Sequence, residues 1–183
     1  HLYRQRVRRF GFPGAVCAAI QVLTWRAIAV AVNPIPAGYG GVTPYLVVKG
    51  ASAALDFYQK VFGGQEIMRL DGPNGTIGHA EIKIGDSIVM LADACPDGQY
   101  QDPTAYGGTP VSLLVYTPDV DATVAKAVEA GAELISPVES KFYGDRMGSI
   151  RDPFGQIWLI STHVEDVPPD ELQRRLAALQ GQG

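Results

Sequence analysis

His79 and Glu81 stand two residues apart in a run, Ile77 to Ile84, that alternates like a β-strand. Alternation puts both side chains on one face together with Lys83, and leaves Ala80, Ile82 and Ile84 for the face that packs a helix. An imidazole beside a carboxylate is a base with its orienter, suited to proton transfer near neutral pH. The same pair also reads as a plain polar strand face, paired across a sheet. Phe142-Tyr143-Gly144-Asp145-Arg146 is the second loaded stretch. There Tyr143 offers a ring, and Arg146 offers a clamp for a ligand carboxylate or phosphate. The competing reading is an Asp145–Arg146 pair that pins a hairpin. Thr43 and Ser112 add hydroxyls and Tyr45 a phenol, but no Ser-His-Asp arrangement accompanies them. Trp158 follows the turn Asp152-Pro153-Phe154-Gly155 in mid-strand, as a core plug, a wall for a stacked ligand, or both. His163, with Glu165 and Asp166, reads as a rim or cap feature just past that strand.

These residues need elements to hold them. Residues 42–48 read as a strand, 51–62 as a helix with Ala54, Leu55, Tyr58 and Phe62 at helical spacing, and 65–70, 77–84 and 87–92 as strands. Gly63-Gly64 ends the helix. The order then repeats: strand 110–117, helix 120–130, strands 133–137, 148–151 and 156–162. Leu46-Val47-Val48 matches Leu113-Leu114-Val115, and Phe62-Gly63-Gly64-Gln65-Glu66-Ile67 matches Ala130-Gly131-Ala132-Glu133-Leu134-Ile135. The sequence therefore predicts an α+β fold of two βαβββ modules, 42–93 and 110–164, joined by a connector at 94–109 rich in Pro, Gly, Asp and Gln. Each helix covers one face of its own sheet, and the other faces are expected to close on each other around a cleft. Residues 165–183 read as a C-terminal helix and tail.

A net charge of −4 and a pI near 5.3 leave no electrostatic footprint for nucleic acid. Cys17 and Cys95 form neither a disulfide framework nor a thiolate zinc motif. Gly38-Tyr39-Gly40-Gly41 lacks the preceding strand that a dinucleotide-binding loop requires. Residues 1–41 read as an N-terminal extension and linker, outside the fold. Within it, Arg4, Arg6, Arg8 and Arg9 precede an apolar run, the outline of a targeting peptide. Translation from upstream of a start near Val30 or Val32 gives the same pattern. Arg26 splits that run, which disfavours a membrane span. The expected location is cytoplasmic, or exported if residues 1–32 act as a signal.

Two such modules, with LDFYQKVFGG after the first strand and a DPFG hairpin before the last, resemble the vicinal oxygen chelate superfamily of glyoxalase I, bleomycin-resistance proteins and extradiol dioxygenases. The resemblance covers residues 42–164, and TPYLVV, GHAEIKIGDSIVMLAD, GGTPVSLLVY and RDPFGQIW are most similar to its PhnB-like branch. The resemblance implies a cupped mixed sheet, a homodimer, and in the metalloenzymes a divalent metal held from four strands. The matching positions are Thr43, Val89 or Leu91, Ser112 and Trp158, none of them an imidazole or carboxylate. No cofactor is therefore expected. The leading expectation is metal-independent binding of a small molecule, with Thr43, Tyr45, Ser112, Tyr143, Arg146 and Trp158 as contacts. The alternative is a glyoxalase-, isomerase- or lyase-type or dioxygenase-related enzyme using His79, Glu81 and Arg146.

Overall fold

The computed structural model describes residues 32–95 and 98–181. The expectations for the N-terminal segment, up to residue 31, lie outside them. The first helix, α1 (Ala51–Phe62), buries Ala51, Ala54, Leu55, Phe57, Tyr58 and Val61 along one side, as their helical spacing requires. Its N-terminus takes its cap from a distant strand: Asp93 Oδ1 accepts from the Gly50 and Ala51 N–H groups at 2.7 and 2.9 Å. The other Asp93 oxygen accepts from Ile77 N–H at 2.8 Å, so one carboxylate ties helix start to sheet. Gly63, at φ 67°, ends the helix, and its N–H and that of Gly64 return to the Gln59 and Tyr58 carbonyls.

The first sheet contains β1 (Tyr45–Val48), β2 (Gln65–Asp71), β3 (Ile77–Ile84) and β4 (Ser87–Asp93), in the order β1-β4-β3-β2. The second contains β5 (Ser112–Tyr116), β6 (Glu133–Ser140), β7 (Asp145–Arg151) and β8 (Ile157–His163), in the order β5-β8-β7-β6. In each, the first strand runs parallel to the last and the other pairs are antiparallel. The duplication holds to the residue: Tyr45 faces Met90 and Ser112 faces Ile157, both partners displaced by 67 positions (45 to 112, 90 to 157). Helices α2 (Val120–Glu129) and α3 (Pro169–Gln180) complete the described elements. Among the described residues no helix is long and apolar enough to cross a membrane.

Strand ends differ from the sequence expectation for local reasons. β1 starts only at Tyr45, because Pro44 has no N–H to pair and contributes just its carbonyl, to Met90 N–H at 2.9 Å. β6 runs on through Pro137, which is tolerated because β6 is an edge strand with a register shift there.

The modules meet through their helix-side faces. A single core joins Leu46, Leu55, Tyr58, Ile82 and Leu91 of the first to Val124, Ile150, Trp158 and Ile160 of the second. The opposite sheet faces, expected to close on each other, stay open in the single chain: Tyr45, Leu114 and Tyr116 are each more than half exposed.

Candidate functional site

On the open face of the first sheet, four side chains form a hydrogen-bonded row. Tyr45 Oη lies 3.1 Å from His79 Nδ1, and His79 Nε2 lies 3.2 Å from Glu81 Oε1. Tyr39, from the linker before β1, donates its hydroxyl to Glu81 Oε2. The arrangement follows from register. Tyr45 pairs with Met90 and Met90 with Glu81, so β4 separates the two strands by one row and the tyrosine spans it diagonally to His79. Glu81 is buried, yet its carboxyl is held below its ordinary range, first by the Tyr39 hydroxyl, against desolvation, and then by His79. An ionised Glu81 only accepts, so the His79 Nε2 that faces it carries a proton. The Tyr45 hydroxyl donates to Nδ1 in the tautomer protonated only on Nε2.

Tyr45 also belongs to the edge of β1 that lines a cavity of about 400 Å³, between β1, the start of β5 and the connector. Its lining includes Tyr100, Gln101, Pro103, Tyr106, Leu113 and Gln156. The connector is shaped to do this: residues Pro103–Tyr106 form a short 3₁₀ turn capped by Asp102, whose carboxylate accepts from Thr104 N–H at 3.0 Å. A second hollow, of about 360 Å³, lies between Val42, the β3–β4 turn and β5 as far as Tyr116.

The second sheet's open face holds a different cluster. Asp145 accepts from Tyr116 Oη at 2.7 Å and Ser161 Oγ at 3.2 Å, and its other oxygen lies 2.8 Å from His163 Nδ1. His163 Nε2 meets Asp166 at 3.0 Å. Hydrogen bonds to Asp145 and then Asp166 raise the His163 pKa. Burial pushes the Asp145 carboxyl up, but His163, Tyr116 and Ser161 outweigh it and leave it below its ordinary value.

Several expected site residues sit elsewhere. Arg146 pairs with neither Asp145 nor an open cleft: its Nε and a terminal nitrogen each lie 2.7 Å from Asp121 of α2. The reason is strand geometry. Asp145 and Arg146 are neighbours on β7, so one points to the open face and the other to the helix. Trp158 is likewise turned to the helix side, 2% exposed, its ring centroid 4.5 Å from Phe62 and its Nε1 donating to Asp152 Oδ2 at 3.0 Å. It is the plug between modules, and it also lines the second hollow. Tyr143 turns its hydroxyl to Met147 Sδ at 3.7 Å. Thr43 and Ser112 lie outside the walls of both hollows. His79, Glu81 and Tyr45 are thus brought together; Arg146, Tyr143 and Trp158 are not part of that group. Tyr39 and the connector tyrosines escaped the sequence reading, because irregular segments carry no periodicity to aim a side chain.

Residues 40–160 match the family model described as the Glyoxalase/Bleomycin resistance protein/Dioxygenase superfamily. The chain belongs to this superfamily. An uncharacterised protein of Mycobacterium tuberculosis is 40% identical over 156 residues, which is 84% of this chain and 88% of that protein. Among solved structures, TioX from Micromonospora sp. ML1 is 29% identical with a TM-score of 0.54, covering 67% of this chain and 98% of its own. A PhnB protein from Bacillus cereus, 19% identical, shares the fold, with a TM-score of 0.54 over 66% of this chain and 98% of its own.

The superfamily's metalloenzymes pose a test of donor chemistry. Val89, Leu91 and Trp158 are buried among the helices, and Thr43 and Ser112 offer only hydroxyls. These positions do not fit a divalent cation. Among the described residues no three His, Cys, Asp or Glu side chains gather to replace them.

Proposed function

We propose that the protein is a PhnB-like, metal-independent binder of a small conjugated organic molecule, which it takes into the hollow beside Tyr45. The observation that carries this reading is the hollow's wall. Tyr100 and Tyr106 of the connector add aromatic side chains opposite the Tyr45 edge of β1, and Gln156 adds an amide, while the Gln101 side chain holds the connector through the Cys95 and Gly98 carbonyls. At about 400 Å³ it suits a ligand of one or two rings. Positive charge is not what holds the ligand, since Arg146 is committed to Asp121.

The working form in this reading is a homodimer. Ile67, Leu70, Leu114, Tyr116 and Leu134 are exposed side chains on sheet strands, and a second copy would cover such surface. Native mass spectrometry of the purified protein reports subunits, metal and retained ligand at once. The expected result is two subunits, a small organic molecule and no stoichiometric divalent ion, with the molecule lost in Tyr106→Ala. A stoichiometric ion, or a ligand unaffected by Tyr106→Ala, contradicts the reading.

A further inference from the structure

We propose that residues 36–42 form a strap, which one hydrogen bond from Tyr39 to Glu81 holds closed over the polar end of the first sheet's open face. Alternation along β3 presents His79, Glu81 and Lys83 on that face. Lys83 is exposed and His79 partly so, yet Glu81 is only 7% exposed. The side chain that reaches Glu81 from outside the sheet is Tyr39, which donates its hydroxyl to Oε2. Oε1 accepts from His79 Nε2 at 3.2 Å, so both carboxylate oxygens are engaged.

The strap is held at one point. From Pro36 to Val42 every residue is exposed except Tyr39, which is half-buried. A turn aims that side chain. Tyr39 N–H returns to the Pro36 carbonyl at 3.2 Å, and Gly38, at φ 89°, brings its backbone onto Ile88, where a Cβ would stand 3.2 Å from the Ile88 Cδ1. On the other side of Tyr39, Gly40 and Gly41 have open space around them and supply the hinge. The strap ends on Val42, which lines the second hollow together with the β3–β4 turn. A segment with little buried surface and one charge-assisted bond opens locally, without the core. Opening uncovers His79, frees Glu81 Oε2 to accept from a group outside the chain, and withdraws Val42 from the second hollow. Tyr39 is thus the chain's own occupant of the Glu81 acceptor, and a molecule that binds there must displace it. Strap closure does not depend on what fills the hollow beside Tyr45.

The test compares the full-length protein with Tyr39→Phe, which keeps the ring and removes only the hydroxyl. Tyr39 lies outside the core, so the variant is expected to fold. Chymotrypsin cuts after either residue, and cleavage after position 39 should be about tenfold faster in the variant, the reach of one lost hydrogen bond to a charged group. Diethyl pyrocarbonate, mapped by peptide mass spectrometry, should modify His79 about threefold faster or more. His163, half exposed on the second sheet, should keep its wild-type rate. A cleavage rate after position 39 or a His79 rate that matches the wild type overturns the strap, and so does an equal rise at His163, the mark of general loosening. Calorimetry with 4-nitrophenol, a one-ring conjugated probe of the hollow beside Tyr45, separates the strap from the binding reading. Its affinity should stay within about twofold in Tyr39→Phe, since Tyr39 does not line that hollow. Binding lost only in Tyr39→Phe places Tyr39 at the ligand and overturns the strap. Absence of binding in the wild type overturns the binding reading, while faster cleavage and modification in the variant still support the strap.

Discussion

Tyr58 and Asp152 are hydrogen-bonded at 2.8 Å although 94 residues separate them, one on the helix of the first module and the other in the last hairpin of the second. The Asp152 carboxyl also accepts from Trp158 Nε1 and from the Phe154 and Gln156 N–H groups. The turn that shapes the hairpin is therefore also the joint between modules. Tyr58→Phe removes one donor of four and should cost about 1–2 kcal/mol. Asp152→Ala leaves buried donors unpaired and should cost about 3 kcal/mol or more. Urea denaturation checks both, and equal costs for the two variants would contradict the joint.

Arg146 should be dispensable for binding. Its guanidinium is engaged by Asp121 on the helix side, away from the tyrosine-lined hollow. Titration of Arg146→Ala with 4-nitrophenol should give an affinity within about twofold of the wild type, as for a site with no shared partner. A loss of tenfold or more would return Arg146 to the ligand.

Removal of metal should be equally silent. After dialysis against a chelator, calorimetric affinity for 4-nitrophenol should again stay within about twofold, as the proposed metal-independent binding requires. Recovery of a lost affinity on adding back a divalent ion would sink that expectation.

The pair His163–Asp145 gives stability a pH signature. The His163 pKa is raised in the folded state, so its contribution is complete below the unfolded value of about 6.5 and fades as pH rises through the folded one. Asp145 is lowered, so its contribution is complete above the unfolded value of about 3.9 and fades as pH falls through the folded one. The stability difference between wild type and His163→Gln, measured by urea denaturation, should be largest near pH 5 and shrink toward alkaline pH. A difference independent of pH contradicts the ion pair.

Gly144 should resist substitution. Its φ is 97°, and a Cβ there would stand 2.1 Å from the Glu165 carbonyl oxygen. That carbonyl cannot step aside, because the Val164 and Glu165 N–H groups are bonded to Gly144 O at 2.9 Å. Gly144→Ala should cost about 1–3 kcal/mol and expose the segment leading to α3 to proteolysis. Wild-type resistance in a protease digest would contradict it.

Much of this was legible from residue order. Helical spacing located α1 to the residue, the internal match located the duplication, and strand alternation put His79 and Glu81 on one face and Ala80 and Ile82 on the other. Trp158 shows where alternation stops. Parity groups Trp158 with Ile160, but Ile157 and Leu159 on the other face are also apolar, so the pattern could not say which face meets a helix. Asp145 and Arg146 were adjacent letters that suggested a pair, and the strand they belong to began earlier than expected, which sends them to opposite sides. Tyr39 lies 42 positions from Glu81 in a Pro/Gly-rich linker, where no rule of spacing applies.

The most direct test of the binding site is a crystal structure of the protein with 4-nitrophenol. The ring should lie in the hollow that Tyr45 and Tyr106 line, with His79 and Glu81 still joined to each other. An ion coordinated by His79 and Glu81, or a ligand lodged away from Tyr45, would contradict it.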